Sequence, residues 1–564
     1  MYVRIKTTPL SPRKSIQIVE GIRVGDKVKQ QIIRHVGIAW DEEEVVRMKA
    51  LGEDMIAEIL KKRQEEEKQL SLFPAPSKEE IKEARERRAQ GKQGRRAAKR
   101  VEEILPPNQV TIDNLVEEER LVEGVHEVGD MLYKNLGYEG ILSKRYDRIL
   151  KDLVLARLAL PASKLRTQRY LIERFGKKHD LDAIYRMMDK LFERICHMKQ
   201  CTFERTRSLF PERVNMVLFD VTTLYFESVE TDELRAFGYS KDCRFNTTQV
   251  VLALATNEHG LPIGYELFEG NKAEVKTLIE SIDSWKQLFC IDSVCFVGDR
   301  AMFSRANLAL LEERGYKYVV AAKLRGLSDD MQEQMLSEQH YRPTKVGESF
   351  AWMGEFEHEG KRLIVSYKTQ RAQKDAKDRN RALEKIQKLI GKKGKTRKLI
   401  NNQAVKKFTS TDAASETILD EGKIANDAAW DGLHGVITNI INDSPELILA
   451  RYAQLWIIED SFRVNKHLLK IRPIFHWKPN RIRAHVAMCY MSFAILRHMQ
   501  YRVALRQKVS PEVIMEELMM VQASIYRDKK AGGLYRIPGK FTNTARKIYK
   551  ALGINRSLDA TIYF

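Results

Sequence analysis

Cysteine is scarce in this chain of 564 residues: the six present, at positions 196, 201, 243, 290, 295 and 489, are too few and too scattered for a disulfide framework. A reducing compartment, the cytoplasm, is the expectation. Long apolar runs are also missing. The nearest, Val486 to Leu496, is closed off by Arg483 and Arg497 and falls short of the roughly 18 residues that a spanning helix needs, so no membrane association is expected. The opening stretch MYVRIKTTPLSPRKS has no apolar core of the kind a signal peptide carries. There is no HExxH and no paired CxxC, and Cys196-His197 with Cys201 has no second ligand pair nearby, which disfavours zinc. Internal repeats are absent.

Acidic residues are outnumbered. Lys and Arg total 97 against 77 Asp and Glu, a formal charge of +20 with a pI near 9.4, and such a surface favours a polyanion. Apolar residues at 43% and charged residues at 31% exclude wholesale disorder and collagen-like repetition. The length suggests about three to five domains.

Residues 1–40 alternate apolar and polar around Val24-Gly25-Asp26 and predict a small β module. Residues 41–113 read as a charged helical linker or arm, either solvated or in contact with DNA. Residues 114–213 carry helical apolar spacing with frequent Arg and Lys, which suits a DNA-binding domain and equally any all-α domain. From 214 to 326 the order is three strands, helix, strand, helix, strand, a mixed α/β succession that an RNase H-like fold shares with other three-layer folds. Residues 327–430 form a basic, β-containing insertion, and 361–410 alone carry +14. The core resumes over 431–500, and 501–564 reads as a basic helical region with a net +7.

Three carboxylates stand apart by position. Asp220 interrupts an apolar strand and shares a face with Met216, Leu218 and Thr222; Asp299 ends the apolar run Val294 to Val297, just after Gly298. A charge at the end of a buried strand needs a hydrogen-bonding loop, a cation or a metal. Glu459 follows the apolar Leu455 to Ile458, and Tyr452, Glu459 and Lys466 are spaced seven apart. That spacing predicts one stripe on one helix, with Arg463 on the adjoining turn and within i+4 reach of Glu459. Carboxylates from two strands and a helix in a basic protein suit two Mg²⁺ ions roughly 3.5–4 Å apart, because hard ions take oxygen ligands.

These residues resemble the DDE transposases of bacterial insertion sequences, in the branch with an insertion between the second Asp and the Glu. That branch ends in Tyr-x2-Arg-x3-Glu-x6-Lys; here the motif reads Tyr452, Leu455, Glu459, Lys466, and RPIFHW (Arg472 to Trp477) with Arg481-Ile482 to His485 follows, as in a subgroup that tolerates the Leu. LFDVTTLYFES and FVGDRAMFS match the first two motifs in composition and order. The resemblance covers about Val214 to Leu496. It implies an RNase H-like catalytic core, Asp220, Asp299 and Glu459 as catalytic and metal-binding residues, Mg²⁺ as cofactor with Mn²⁺ as a substitute, and DNA contacts from Tyr452 and Lys466. It also implies double-stranded DNA as partner, both the terminal inverted repeats of the element and the target, a homodimer in a synaptic complex, and a nucleoid-associated location. Arg463 or Arg451 is expected to take over the phosphate contact that Leu455 lacks.

Other basic residues have two readings each. Arg300 either holds a phosphate or pairs with Asp299, and Arg472 opens the RPIFHW segment as a DNA contact. Lys392, Lys393 and Arg397 lie in GKKGKTRK, a phosphate-binding or merely solvated loop. His476 and Trp477 either reach a base or pack beside a helix. Two other functions remain compatible with these residues: a structure-specific nuclease on the same carboxylates, and a DNA-binding protein without strand cleavage.

Overall fold

A computed structural model describes residues 1–7, 14–24, 27–39, 41–70, 110–210, 216–239, 246–289, 294–299, 303–346, 349–388, 390, 406–411, 417–505 and 509–563. Two units divide the chain, Met1–Asn108 and Gln109–Phe564.

In the first unit, β1 (Tyr2–Thr7), β2 (Lys14–Val24) and β3 (Lys27–Ala39) form an antiparallel sheet in that order. Helix α1 (Glu42–Leu70) follows. Asp41 caps it by accepting the Glu44 amide at 2.7 Å, and Glu42, Glu43 and Glu44 place negative charge at its positive end. Ile16, Ala39 and Val45 are the buried centre, with Val3, Val36 and Met48 packed on it.

The second unit opens with β4 (Leu115–Val122) and five helices: α2 (Gly124–Asn135), α3 (Lys144–Ala159), α4 (Lys164–Phe175), α5 (Leu181–Phe192) and α6 (Ile195–Arg207). A mixed α/β body follows. Its strands are β5 (Met216–Tyr225), β6 (Gln249–Thr256), β7 (Pro262–Glu269), β8 (Cys295–Gly298), β9 (Lys317–Ala321), β10 (Arg342–Val346), β11 (Ser349–His358) and β12 (Lys361–Tyr367); a small pair, β13 (Thr409–Thr411) and β14 (Thr417–Leu419), precedes β15 (Leu433–Thr438). Nine of these make one sheet, in the order β10-β11-β12-β15-β9-β8-β5-β6-β7. Among the described strands of this sheet, β5 with β8 and β8 with β9 run parallel and the other neighbours antiparallel.

The helices of this part are α7 (Glu274–Phe289), α8 (Arg305–Glu313), α9 (Asp329–Leu336), α10 (Thr369–Gln387), α11 (Glu421–Ala429), α12 (Pro445–Ala453), α13 (Trp456–Arg463) and α14 (Pro479–Ala504). Period-two alternation separates the two faces of the sheet. Val217, Phe219, Val251 and Phe296 bury against Leu278, Ile282 and Trp285 of α7 and Leu311 of α8. On the other face, Met216, Leu218, Val297 and Val319 share a cluster with Ile458 and Phe462 of α13 and with α14. Every residue from Val486 to Leu496 is buried, because α14 runs through the middle of the unit and packs on both α3 and α5. The run is thus a core helix, and among the described residues no helix is long and apolar enough to cross a membrane.

Strands β10 to β12 of the basic segment lengthen the central sheet, because β12 pairs with β15, and α10 begins at Thr369. The end of the chain differs from expectation. The C-terminal region is not all helical. Besides α15 (Pro511–Met520) and α16 (Asn543–Leu552) it contributes β16 (Gln522–Asp528), β17 (Leu534–Pro538) and β18 (Thr561–Ile562). These join β4 in an antiparallel sheet, β18-β17-β16-β4. The pairing partner of β16 lies some four hundred positions upstream, with Gln522 opposite Val122, and tertiary pairing of this kind overrides local propensity.

Candidate active site

Asp220 belongs to the alternating set Met216, Leu218, Asp220 on β5, and Asp299 to the set Cys295, Val297, Asp299 on and just beyond β8. Both sets face the layer of α13. Leu218 pairs with Val297 in the parallel register, and extending it by two residues sets Asp220 opposite Asp299. Phe219 and Val221 are buried on either side of Asp220, which is itself partly open to solvent; Asp299 is exposed. Asp220 Oδ1 accepts the Val221 amide at 2.7 Å, which orients the carboxylate. Gly298 permits the close approach of the two strands: a Cβ there would stand 3.0 Å from the Phe219 carbonyl oxygen and 2.6 Å from the Phe303 ring.

Glu459 arrives on α13, whose Ile458 and Phe462 enter the same apolar cluster as Leu218 and Val297. The predicted single stripe through Tyr452, Glu459 and Lys466 is not what forms. Helix α12 ends at Gln454, where the Gln454 and Leu455 amides bond three residues back to Arg451 and Tyr452, and after Arg463 the chain widens into a π-turn over Val464–Leu468. Each break rotates the following residues, so spacing by sevens does not carry all three onto one line. Tyr452 and Glu459 nevertheless line one cavity of about 410 Å³, together with Lys368 and Arg371 from the start of α10, His434 of β15, and Trp456.

The electrostatics tie the acids to this cavity. Burial pushes the Tyr452 phenol up to about 12, and the negative charges of Asp299 and Glu459 add to the rise while Arg371 opposes it. Burial brings His434 down to about 4, reinforced by Arg371 and Lys368 and opposed by Asp299. The two rings lie 4.9 Å apart. His434 is therefore a neutral hydrogen-bonding group at pH 7. Lys368, Arg371 and His434 escaped the sequence reading because they sit in or beside the basic segment; the only local signal is that Lys368 follows directly on an apolar strand.

The other expected contacts divide. Arg463 does not reach back to Glu459; its Nε donates to Asp460 at 3.1 Å, and Asp460 also receives Arg497 Nη2 at 2.7 Å. Arg451 is ion-paired to Asp443. Both candidates for replacing the absent arginine thus have carboxylate partners, and Leu455 is a core residue. Lys466 lies in the π-turn, half-buried. Arg472 stacks over Tyr225 at 5.1 Å, and Ile474 bridges to Phe226, so this segment runs beside the end of β5. His476 is buried, whereas Trp477 is exposed with Arg235 over its ring at 5.4 Å. Arg300, Lys392, Lys393 and Arg397 lie outside the described residues.

A donor set of carboxylate oxygens suits a hard divalent cation. Among the described residues no three His, Cys, Asp or Glu side chains are gathered into a metal-holding group, so the acids occupy neighbouring elements of one face without forming a single three-donor cluster.

No curated protein matches the chain. Residues 215–495 do match a family model, DDE_Tnp_1, described as transposase DDE domain. The matched span starts one residue before β5 and ends within α14, and so takes in the nine-stranded sheet and all three carboxylates. Over these residues, about half of its length, the chain is similar to the transposase DDE domain, and this supports a DDE-type transposase.

Proposed function

We propose that the protein is a DNA transposase that cleaves the ends of its own element and joins them to target DNA by transesterification, on an RNase H-like core. The observation that carries this reading is the parallel pairing of β5 with β8, which sets Asp220 and Asp299 at adjacent positions beneath the helix bearing Glu459, within the span similar to the transposase domain.

Asp220, Asp299 and Glu459 would hold two Mg²⁺ ions, with Mn²⁺ as a substitute; when bound, they would supply Lewis-acid stabilisation of charge on the attacking and leaving oxygens. The side chains of the cavity would bind and orient the phosphodiester. Lys368 and Arg371 offer cationic donors, and Tyr452, kept protonated by burial and its acidic neighbours, donates a hydrogen bond. In the first step water attacks phosphorus and the bond to the 3′-oxygen breaks, which frees a 3′-hydroxyl. In the second that hydroxyl attacks another phosphodiester and displaces its 3′-oxygen, so one ester bond forms for each one broken. Arg463, Lys466 and Arg472, with Arg300, Lys392, Lys393 and Arg397, are proposed contacts to flanking phosphates, and two copies would bring two ends together in the cytoplasm, on the nucleoid.

The test is strand cleavage of duplex DNA carrying the element's ends, with Mg²⁺. Asp220→Asn is expected to lower the rate by at least roughly 100-fold. Cleavage at the wild-type rate by that variant would remove the assignment.

A further inference from the structure

The helical layer of the second unit holds a groove that the carboxylate site does not use. Two cavities, of about 510 and 690 Å³, adjoin there, and Arg148, Lys178 and His179 line both. Neither shares a lining residue with the cavity of Glu459. One wall is the first turns of α3, where Lys144 and Arg148 stand four apart on one face with Arg145 beside them. The other wall follows α4. Gly176, in the left-handed region at φ 62°, ends that helix and redirects the chain into the exposed pair Lys177 and Lys178.

The floor is rigid. Buried His179 bonds Asp152 through Nε2 at 2.7 Å, and its carbonyl accepts from Gln168 at 2.8 Å; His126 packs on Phe175 at 4.8 Å. Nearby acids already have partners: Asp130 has Lys151 and Lys134, and Glu127 accepts from Tyr549 at 2.5 Å and faces Arg556 at 3.5 Å. Asp180 at the lip opposes the cations with a single charge. Among the described residues, Lys144, Arg145, Arg148, Lys177 and Lys178 have no ion pair with a carboxylate. Five like charges converging on a fixed groove repel one another, and an anion that spans both walls relieves all five together.

The lining also selects among polyanions. Among the described residues no Phe, Tyr or Trp lines either cavity, so the groove offers no aromatic platform of that kind for stacking unpaired bases. Its donors are Lys and Arg side chains, the groups that contact phosphate rather than base edges. We propose that this groove binds the sugar–phosphate backbone of duplex DNA and holds the helical layer on DNA independently of base sequence. The proposal rests on the DNA-processing reading and adds to it a second phosphate-binding site.

The experiment measures equilibrium binding of the full chain to a duplex by fluorescence anisotropy over a range of salt, without any cleavage step. The variant Lys144→Ala/Arg145→Ala/Arg148→Ala is expected to weaken binding roughly 10- to 100-fold and to lower the salt slope by about 0.9 for each phosphate it no longer neutralises. Lys177→Glu/Lys178→Glu is expected to do the same from the opposite wall, while Lys144→Arg/Lys178→Arg keeps wild-type affinity. All the changed side chains are exposed, and an unchanged thermal midpoint confirms folding. Wild-type affinity and slope in both charge-removing variants would overturn the groove and leave the transposase reading intact. Loss of binding to anionic phospholipid vesicles with full retention of duplex binding would overturn it in favour of a membrane surface. Failure of the wild-type chain to cleave DNA counts against the carboxylate site, not against this one.

Discussion

The ring of His434, on β15, lies 4.9 Å from the ring of Tyr452, on α12, and a single carboxylate, Asp299, acts on the protonation of both. This relationship joins the end of β8 to two elements more than a hundred residues downstream. It also makes the site sensitive to pH in a definite direction.

His434 has a folded value of about 4 against an unfolded value near 6.5, so between these pH values the unfolded chain binds the extra proton. Its contribution to stability is fully present above about pH 6.5 and is lost as pH falls through about 4. Buried His126 and His498, also near 4, act in the same sense. Thermal melts from pH 7 to pH 4 should show a falling midpoint, and His434→Gln should make the fall shallower. An unchanged slope in that variant would contradict the burial argument.

Adjacent acids on α13 should separate function from stability. Asp460 holds Arg497, which is almost wholly buried, and also Arg463 at the surface. Asp460→Asn should therefore destabilise the fold by about 3 kcal/mol in urea titrations, because it leaves a buried guanidinium without its counter-charge. Arg463→Ala should cost far less, as its pair is exposed to solvent. Glu459→Gln should leave the urea midpoint nearly unchanged and abolish strand cleavage.

Gly298→Ala places a methyl group 2.6 Å from the Phe303 ring and 3.0 Å from the Phe219 carbonyl oxygen. Relief of that clash requires β8 to shift against β5, and with it Asp299 against Asp220. A loss of about 1–3 kcal/mol is expected, accompanied by a fall in cleavage larger than the loss of folded protein accounts for. Cleavage that tracks only the folded fraction would count against the register of these two strands as a determinant of activity.

Lys368 and Arg371 line the cavity together with Glu459 and Tyr452, Arg371 also standing 3.8 Å from Asp375. Replacement of both cavity cations by Ala should slow cleavage roughly 100-fold, with a much smaller effect on duplex affinity, since they act where charge develops in the transition state. Equal losses in rate and affinity would instead mark them as general backbone contacts.

Much of this was legible locally. Alternation along LFDVTTLYFES and FVGDRAMFS picked out Asp220 and Asp299 because a strand has period two and a carboxylate among buried neighbours breaks it. The strand–helix order from 216 to 321 followed from apolar spacing, whereas only the structure shows that the apolar run 486–496 is a buried core helix. Helical phase was less secure. Tyr452 and Glu459 reach the same cavity although the chain breaks between them, and Lys466 is turned by the π-segment, because short departures from 3.6 residues per turn accumulate.

By itself the sequence determined the alternating faces, the acids that interrupt them, the positive charge that calls for a polyanion and the motifs that resemble a transposase. Tertiary structure alone decided that β8 pairs with β5 rather than with a nearer strand, that the basic segment lengthens the central sheet and delivers Lys368 and Arg371 to Glu459, and that the C-terminal strands complete a sheet begun at Leu115. The physical reason is one of range. Propensity and periodicity act over a few residues, whereas strand partners and the groups that share a cavity are selected by burial between segments hundreds of residues apart.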